Sequence, residues 1–347
     1  MTSKKRQLME TTRKSEIMKS NNQPAIEVSN LTKRYGDVVA VNGISFQIGN
    51  GELFGFLGPN GAGKTTTINL LTGLAWLDAG TINIGGIDCT GNPKAAQHLV
   101  GTVPDESNLY PELTGFENLC FCAALYGIRK NQRRERAWEL LNTFSLADAA
   151  DRKFGGYSKG MKRKLTFAAG IIHQPPILFL DEPTTGIDVA SARQVRKIIA
   201  ELHRKGTTVF LTTHYIEEAE RLCERIAFIV NGRIVRTNRT IDLLKPVKGK
   251  NVLFLSISNS ATDLSKEMNS AFPGYQFQST TSGQVRVESA EPFSIGPLIR
   301  FLEEKDIQVT EARQHLPSLE DVFVQVTGIE AGLMMKEKEK AGGGGNQ

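Results

Sequence analysis

Residues 58–66 read Gly58-Pro59-Asn60-Gly61-Ala62-Gly63-Lys64-Thr65-Thr66. Gly58, Gly63, Lys64 and Thr65 fill the spacing G-x-x-x-x-G-K-[ST] of a phosphate-binding loop. The preceding run, Glu52-Leu53-Phe54-Gly55-Phe56-Leu57, is apolar enough for a buried strand, and Thr65 to Thr72 has helical character that ends near Gly73. Strand, loop and helix in that order are the context the motif requires. Glycines let backbone N–H groups close around phosphate oxygens, and the helix beginning near Lys64 adds its positive end. The pattern predicts that Lys64 reaches β- and γ-phosphates and that the Thr65 hydroxyl coordinates Mg²⁺.

Downstream, Ile177-Leu178-Phe179-Leu180-Asp181-Glu182 is a continuous apolar run ending in two carboxylates. This is the pattern of a parallel strand buried on both faces, and it delivers acids to the sheet edge where ligands bind in open α/β folds. Asp181 is the candidate Mg²⁺ ligand and Glu182 the candidate base that polarises a water for attack on the γ-phosphate.

Strands and helices alternate from Ala25 to about Leu244, which argues for an α/β core. Ala25–Val28, Val38–Val41 and Ile44–Ile48 read as strands. A mostly helical block, about 108–167, interrupts the alternation as an inserted subdomain. After Lys245-Pro246 the pattern becomes β-α-β-β-α-β: Val252–Ile257, Asp263–Phe272, Tyr275–Thr281, Val285–Glu288 (with Ser282-Gly283 as the turn), Phe293–Glu304 and Ile307–Thr310. That is the ferredoxin-like arrangement of a small α+β domain. Ser318 then caps a short helix. The expected organisation is a disordered basic tail (1–24), a nucleotide-binding domain (25–245), a regulatory or dimerisation domain (250–327) and a flexible Gly-rich tail (328–347).

Composition narrows the class without naming it. The chain has 347 residues, 40% hydrophobic and 23% charged, with a net charge of +5. That charge is too modest to argue for nucleic acid. The basic residues cluster at Lys4–Lys19 and again at Arg129, Lys130, Arg133, Arg134 and Arg136. The second cluster reads as a solvated helix face or as a phospholipid- or partner-facing surface. No stretch approaches the ~20 apolar residues of a membrane span, and the polar start lacks the apolar core of a secretory signal. Cys89, Cys120, Cys122 and Cys223 form no C-x-x-C pair and are expected to be small buried residues of a reducing compartment.

Between the two nucleotide motifs lies Tyr157-Ser158-Lys159-Gly160-Met161-Lys162, which resembles the signature loop of ATP-binding cassette (ABC) ATPases. The resemblance covers about residues 26–244, with the motifs in the family's order. It implies an ABC-type P-loop NTPase in which Tyr35 stacks on adenine, Asp188 of Thr184-Thr185-Gly186-Ile187-Asp188 belongs to the D-loop, and His214 senses the γ-phosphate. It implies ATP and Mg²⁺ as ligands. The chain holds one phosphate loop and one signature loop, so it looks like half of a symmetric dimer: ATP bound by one subunit is capped by Ser158 and Gly160 of the other. Where the family carries a loop Gln, this chain has Pro104-Asp105-Glu106. Asp105 is the favoured metal-contacting replacement, and Glu106 is the alternative. Asn108–Thr114 matches the joint that docks a coupling helix, and Pro317–Gly328 resembles ATPases of ABC-2-type exporters. The resemblance therefore implies a homodimeric ATPase, peripheral on the cytoplasmic face of the membrane, that drives separately encoded permease subunits, with no nucleic acid partner. The alternative is a soluble ABC ATPase acting on ribosomes or nucleic acid. Such proteins usually carry two cassettes or a long coiled-coil insertion, and neither is evident here.

Overall fold

The computed structural model describes residues 23–244, 251–258, 264–279, 284–315 and 318–329. The expected basic tail to residue 22, the Lys245-Pro246 break, the Ser282-Gly283 turn and the tail from Glu330 lie outside the described residues. The chain enters as β1 (Ile26–Tyr35), β2 (Val38–Ile48) and β3 (Leu53–Leu57), followed by α1 (Lys64–Leu71), β4 (Ala79–Ile84), β5 (Ile87–Asp88) and β6 (Val100–Val103). Three helices come next: α2 (Gly115–Leu125), α3 (Lys130–Thr143) and α4 (Lys159–Gly170). Then follow β7 (Ile177–Asp181), α5 (Val189–Arg204), β8 (Thr208–Thr213), α6 (Ile216–Leu222), β9 (Arg225–Val230), β10 (Arg233–Arg239) and the short α7 (Thr240–Leu243).

These strands make two sheets. One is antiparallel, in the order β2-β1-β4-β5; the other has six strands in the order β10-β9-β3-β8-β7-β6. In the second sheet every pairing except β10 with β9 is parallel. Every residue of β3, β7 and β8 is buried, as expected of parallel strands covered on both faces. Phe210 of β8 is central to the core, with ring centroids 5.4–6.0 Å from Phe46, Phe54, Phe56 and Phe179. Phe46 comes from β2, so this cluster binds the antiparallel sheet to the parallel one. Each buried ring contributes roughly 1.5–3 kcal/mol through area alone.

The three helices α2 to α4 stand between β6 and β7, and α4 continues to Gly170. Thr114 and Glu117 form a reciprocal capping box that starts α2. The buried Asn118 carboxamide donates to the carbonyls of Tyr110, Leu113 and Thr114 and accepts from the Tyr110 N–H, which fixes that turn. Two sequence expectations change. The two strands read at Val38–Val41 and Ile44–Ile48 are one strand, whose pairing with β1 carries register shifts. Cys89 and Cys223 are buried, but Cys120 and Cys122 on α2 are only half-buried. Among the described residues no helix is long and apolar enough to cross a membrane.

The second unit contains β11 (Asn251–Ile257), α8 (Leu264–Ala271), β12 (Tyr275–Ser279), β13 (Gln284–Ser289), α9 (Ile295–Glu303) and β14 (Val309–His315). The sheet order is β12-β13-β11-β14 and every pairing is antiparallel. That is a ferredoxin-like sheet closed over Leu253, Met268, Phe277, Val287, Leu298 and Leu302. The last strand starts and ends later than the sequence suggested.

The chain closes with α10 (Leu319–Thr327), where Ser318 Oγ accepts from the Asp321 N–H at 3.1 Å and the Ser318 N–H donates to Asp321 Oδ2 at 2.9 Å. The compact units divide within this helix: its residues up to Val322 belong to the second, and those from Phe323 to the first. Phe323 is fully buried, with its ring edge-on to Phe228 of β9 at 5.4 Å. A motif-based boundary at 250–327 misses this return. Phe323→Ala is expected to destabilise the first unit by about 3–5 kcal/mol, the usual cost of emptying a buried phenyl site. Thermal or urea unfolding of the full chain checks it; an unchanged midpoint would contradict the packing role.

Candidate functional site

The sheet order places three loops side by side. β3, β8 and β7 are neighbours, with Leu57 paired to Thr213 and Asp181 paired to Thr212. The residues that follow these strands, Gly58 onward, His214 and Glu182, therefore emerge together at the carboxyl edge of the parallel strands. The Gly58 N–H donates to the Thr213 carbonyl and joins two of those exits.

Gly58 through Thr66 turn from β3 into α1. Gly63 caps the helix with φ +102°, and a Cβ there would lie 2.3 Å from the Ala40 carbonyl oxygen. Only glycine satisfies both the left-handed backbone and that close approach. The α1 N-cap offers no side-chain oxygen and the first turn holds no acid. Its leading amides and positive dipole end are thus suited to an anion. Pro59 and Asn60 are half-exposed, Gly61 is exposed, and Ala62 is buried beneath the turn. Thr65 is exposed and Thr66 half-exposed at the helix start. Lys64 is 5% exposed; its Nζ donates to the Gly58 and Pro59 carbonyls at 2.8 and 3.0 Å and lies 3.3 Å from Glu182 Oε1.

Glu182 is buried and stands at φ +48°, a left-handed conformation that costs a non-glycine residue roughly 1 kcal/mol or more. Its N–H is held by the Thr212 carbonyl at 3.0 Å and its Oε2 accepts from Thr185 Oγ1 at 3.1 Å. His214 Nδ1 approaches the same Oε2 to 2.7 Å. Burial pushes the Glu182 carboxyl up, but His214 and Lys64 outweigh it and hold the group below its ordinary value.

Asp181 behaves oppositely. Burial raises its carboxyl above the usual range, against hydrogen bonds from the Thr212 and Thr65 hydroxyls, and the charges of Glu182 and Asp105 push the same way as burial. Asp105 is half-buried and its charge reaches Asp181, whereas Glu106 is exposed. Among the described residues no three of His, Cys, Asp or Glu form a metal cage of their own. The oxygens of Thr65, Asp181 and Asp105 suit instead a hard cation that also takes phosphate oxygens.

Ser158, Gly160 and Asp188 form a second group. Ser158 caps α4 by accepting from the Met161 N–H, and Asp188 caps α5 by accepting from the Ser191 N–H at 2.9 Å. Those hydrogen bonds to Ser191 hold the exposed Asp188 carboxyl below its ordinary value. Gly160 is buried against them: a Cβ there would lie 2.6 Å from Ser191 Oγ and 3.1 Å from Asp188 Oδ2. Tyr35 ends β1 with its ring 51% exposed and Lys33 Nζ 5.3 Å from the ring centroid. It pairs with Val38, just ahead of the Ala40 that packs on Gly63.

Two buried residues escaped the sequence reading. Glu218 accepts from Thr184 Oγ1 at 2.7 Å, and burial raises its carboxyl. Arg163 on α4 is 6% exposed and spends its guanidinium on backbone carbonyls beside Asp105, Asp181 and Glu182. Helical spacing was the available signal: Gly160, Arg163, Phe167 and Gly170 share the buried face of α4.

The sequence profile described as "ABC transporter" matches residues 41–185. The Nod factor export ATP-binding protein I of Burkholderia orbicola is 38% identical over 310 residues, 88% of this chain and 97% of that protein. The daunorubicin/doxorubicin resistance ATP-binding protein DrrA of Streptomyces peucetius is 38% identical over 314 residues, covering 89% and 94%. Among solved structures, an ATP-binding subunit of an ABC transporter superposes with TM-score 0.59 and 30% identity, over 63% of this chain and 91% of that one. A dimeric post-hydrolysis ATP-binding cassette bound to ADP and Pi gives TM-score 0.58 and 26% identity, over 62% and 98%.

Proposed function

The chain belongs to the ABC transporter family, and from that premise we propose that it is the ATP-hydrolysing subunit of an ABC-2-type exporter. It works as a symmetric pair against separately encoded permease subunits at the cytoplasmic face of the membrane. The observation that carries the chemistry is the meeting of Lys64, Glu182 and His214 at one sheet edge, directly beside the phosphate loop. Relatives named for Nod factor export and daunorubicin resistance support an export role. No feature of the described residues favours a ribosomal or nucleic-acid role.

The roles follow from the geometry. Backbone amides of Gly61 to Thr66 and the start of α1 hold the phosphates of ATP, and Lys64 turns from its loop carbonyls toward them. Glu182, ionised at neutral pH because His214 and Lys64 hold its acidity, takes the proton of the attacking water. His214 bridges that base and the γ-phosphate. Thr65, Asp181 and Asp105 would hold Mg²⁺, which neutralises phosphate charge when bound. Tyr35 offers its exposed ring to adenine. Ser158 and Gly160 present the α4 start to the ATP of the partner subunit, with Asp188 beside them across the seam.

This arrangement makes each active site composite, which can be tested by mixing. Ser158→Arg is expected to stop hydrolysis while leaving nucleotide binding to the separate subunit's phosphate loop nearly intact. Combined with a Lys64→Ala chain, it gives mixed dimers in which both lesions share one interface and the other interface is whole. Phosphate release should return to roughly a quarter of wild type, because half of the dimers are mixed and each keeps one of two sites. Wild-type activity of Ser158→Arg alone would refute the composite site.

A further inference from the structure

We propose that Arg163 is the positioning residue of this active site: one buried guanidinium that sets the backbone from which Asp105, Asp181 and Glu182 project. The inference rests on the ATPase reading above and assigns the site a residue outside its motifs. Nε donates to the Pro183 carbonyl at 2.8 Å; Nη1 donates to the carbonyls of Pro104 and of Asp105, the latter at 2.9 Å; Nη2 donates to those of Asp181 and Glu182 at 2.8 and 2.9 Å. A guanidinium has five N–H donors in a rigid fork, and each of the five meets its own carbonyl.

None of those acceptors is a carboxylate, so this is not an ordinary ion pair. Burial pulls the guanidinium below its ordinary value, and the charges of Asp105, Asp181, Glu218 and Glu182 act against that at longer range. The hydrogen bonds instead fall on consecutive peptides at two strand exits: Pro104–Asp105 after β6, and Asp181–Pro183 at the end of β7. Glu182 is where such support matters most, because its left-handed backbone is unfavourable by itself. Its N–H is tied to β8 and its carbonyl to Arg163, so the strained peptide is gripped from both sides. The stem of Arg163 is anchored in turn, with its guanidinium 5.8 Å over the Phe167 ring on the next turn of α4. Lysine cannot replace this fork, since three donors on one nitrogen cannot span two strand exits.

The test uses the full chain as wild type, Arg163→Lys and Arg163→Gln. ADP affinity is measured by calorimetry with metal removed, and Mn²⁺ affinity by electron paramagnetic resonance in the presence of ADP; kcat and KM for ATP follow. Losing a group that orients metal-facing residues should weaken Mn²⁺ binding and kcat about 10- to 100-fold, with metal-free ADP affinity and KM changed less than about twofold. Arg163→Lys should fold at least as well as Arg163→Gln and recover only part of the Mn²⁺ affinity. Unchanged Mn²⁺ affinity in a folded variant overturns the proposal, as does an equal fall in metal-free ADP affinity. Failure of both variants to fold would make Arg163 a folding residue and overturn it too. A wild-type chain that binds no ADP would instead refute the ATPase reading itself.

Discussion

Lys64→Ala is expected to lower ATP affinity by about a hundredfold or more and to remove turnover, since each hydrogen bond to a charged group contributes roughly 1.5–3 kcal/mol and the lysine serves more than one oxygen. Lys64 is buried with its Nζ between the carbonyls of its own loop and the Glu182 carboxylate. Alanine therefore removes the cation meant for the phosphates and takes the lysine's charge away from the base. The second effect has its own signature. Glu182 is held below its ordinary acidity range by His214 and Lys64 against burial. A carboxyl depressed in the folded state contributes stability above its unfolded pKa and loses it as pH falls through the folded value. Without Lys64 the folded value rises, so acid unfolding of the nucleotide-free protein should begin at higher pH than in wild type. Fluorescent-nucleotide titration, phosphate release and acid unfolding followed by circular dichroism measure the three parts. Wild-type affinity in the alanine variant would remove Lys64 from the site.

What the sequence made legible is what chemistry forces into short, fixed spacing. A phosphate cradle needs consecutive amides, so Gly58 to Thr66 announces itself locally; a strand that hands acids to a sheet edge is an apolar run ending in Asp181 and Glu182. The contacts that tune those groups are long-range and carry no local signature. Thr212 donates to Asp181 across two strands, Thr184 meets Glu218 over 34 positions, and Arg163 reaches the Pro104 carbonyl over 59. Phe323 shows the same limit for the fold: its helix follows the second unit in sequence, but its ring packs on β9. Only tertiary contact reveals such a return. The choice between Asp105 and Glu106 was likewise open in the sequence. The half-buried place of Asp105 and its charge coupling to Asp181 favour Asp105 as the proposed metal contact.

Glu182→Gln should separate binding from chemistry. Glutamine keeps the shape of the side chain, can still accept from Thr185 through its amide oxygen, and leaves Lys64 on its loop carbonyls. The phosphate loop is untouched, so ATP affinity should stay within a few-fold of wild type. An amide cannot take a proton from water at neutral pH, and loss of a positioned general base typically lowers rate by about 10²- to 10⁴-fold. ATP that is bound but not cleaved remains between the two subunits, so the variant should collect as an ATP-dependent dimer on size exclusion, while wild type returns to monomer as ATP is spent. Glu182→Asp offers a stricter comparison. It keeps the charge but draws the carboxylate back by one methylene, away from His214 and Lys64, and at a left-handed residue the backbone cannot follow to compensate. Its turnover should fall between wild type and Glu182→Gln, with ATP affinity again preserved. Near-wild-type hydrolysis by Glu182→Gln would show that another group moves the proton, and the role proposed for Glu182 would have to be abandoned even though the phosphate loop stood.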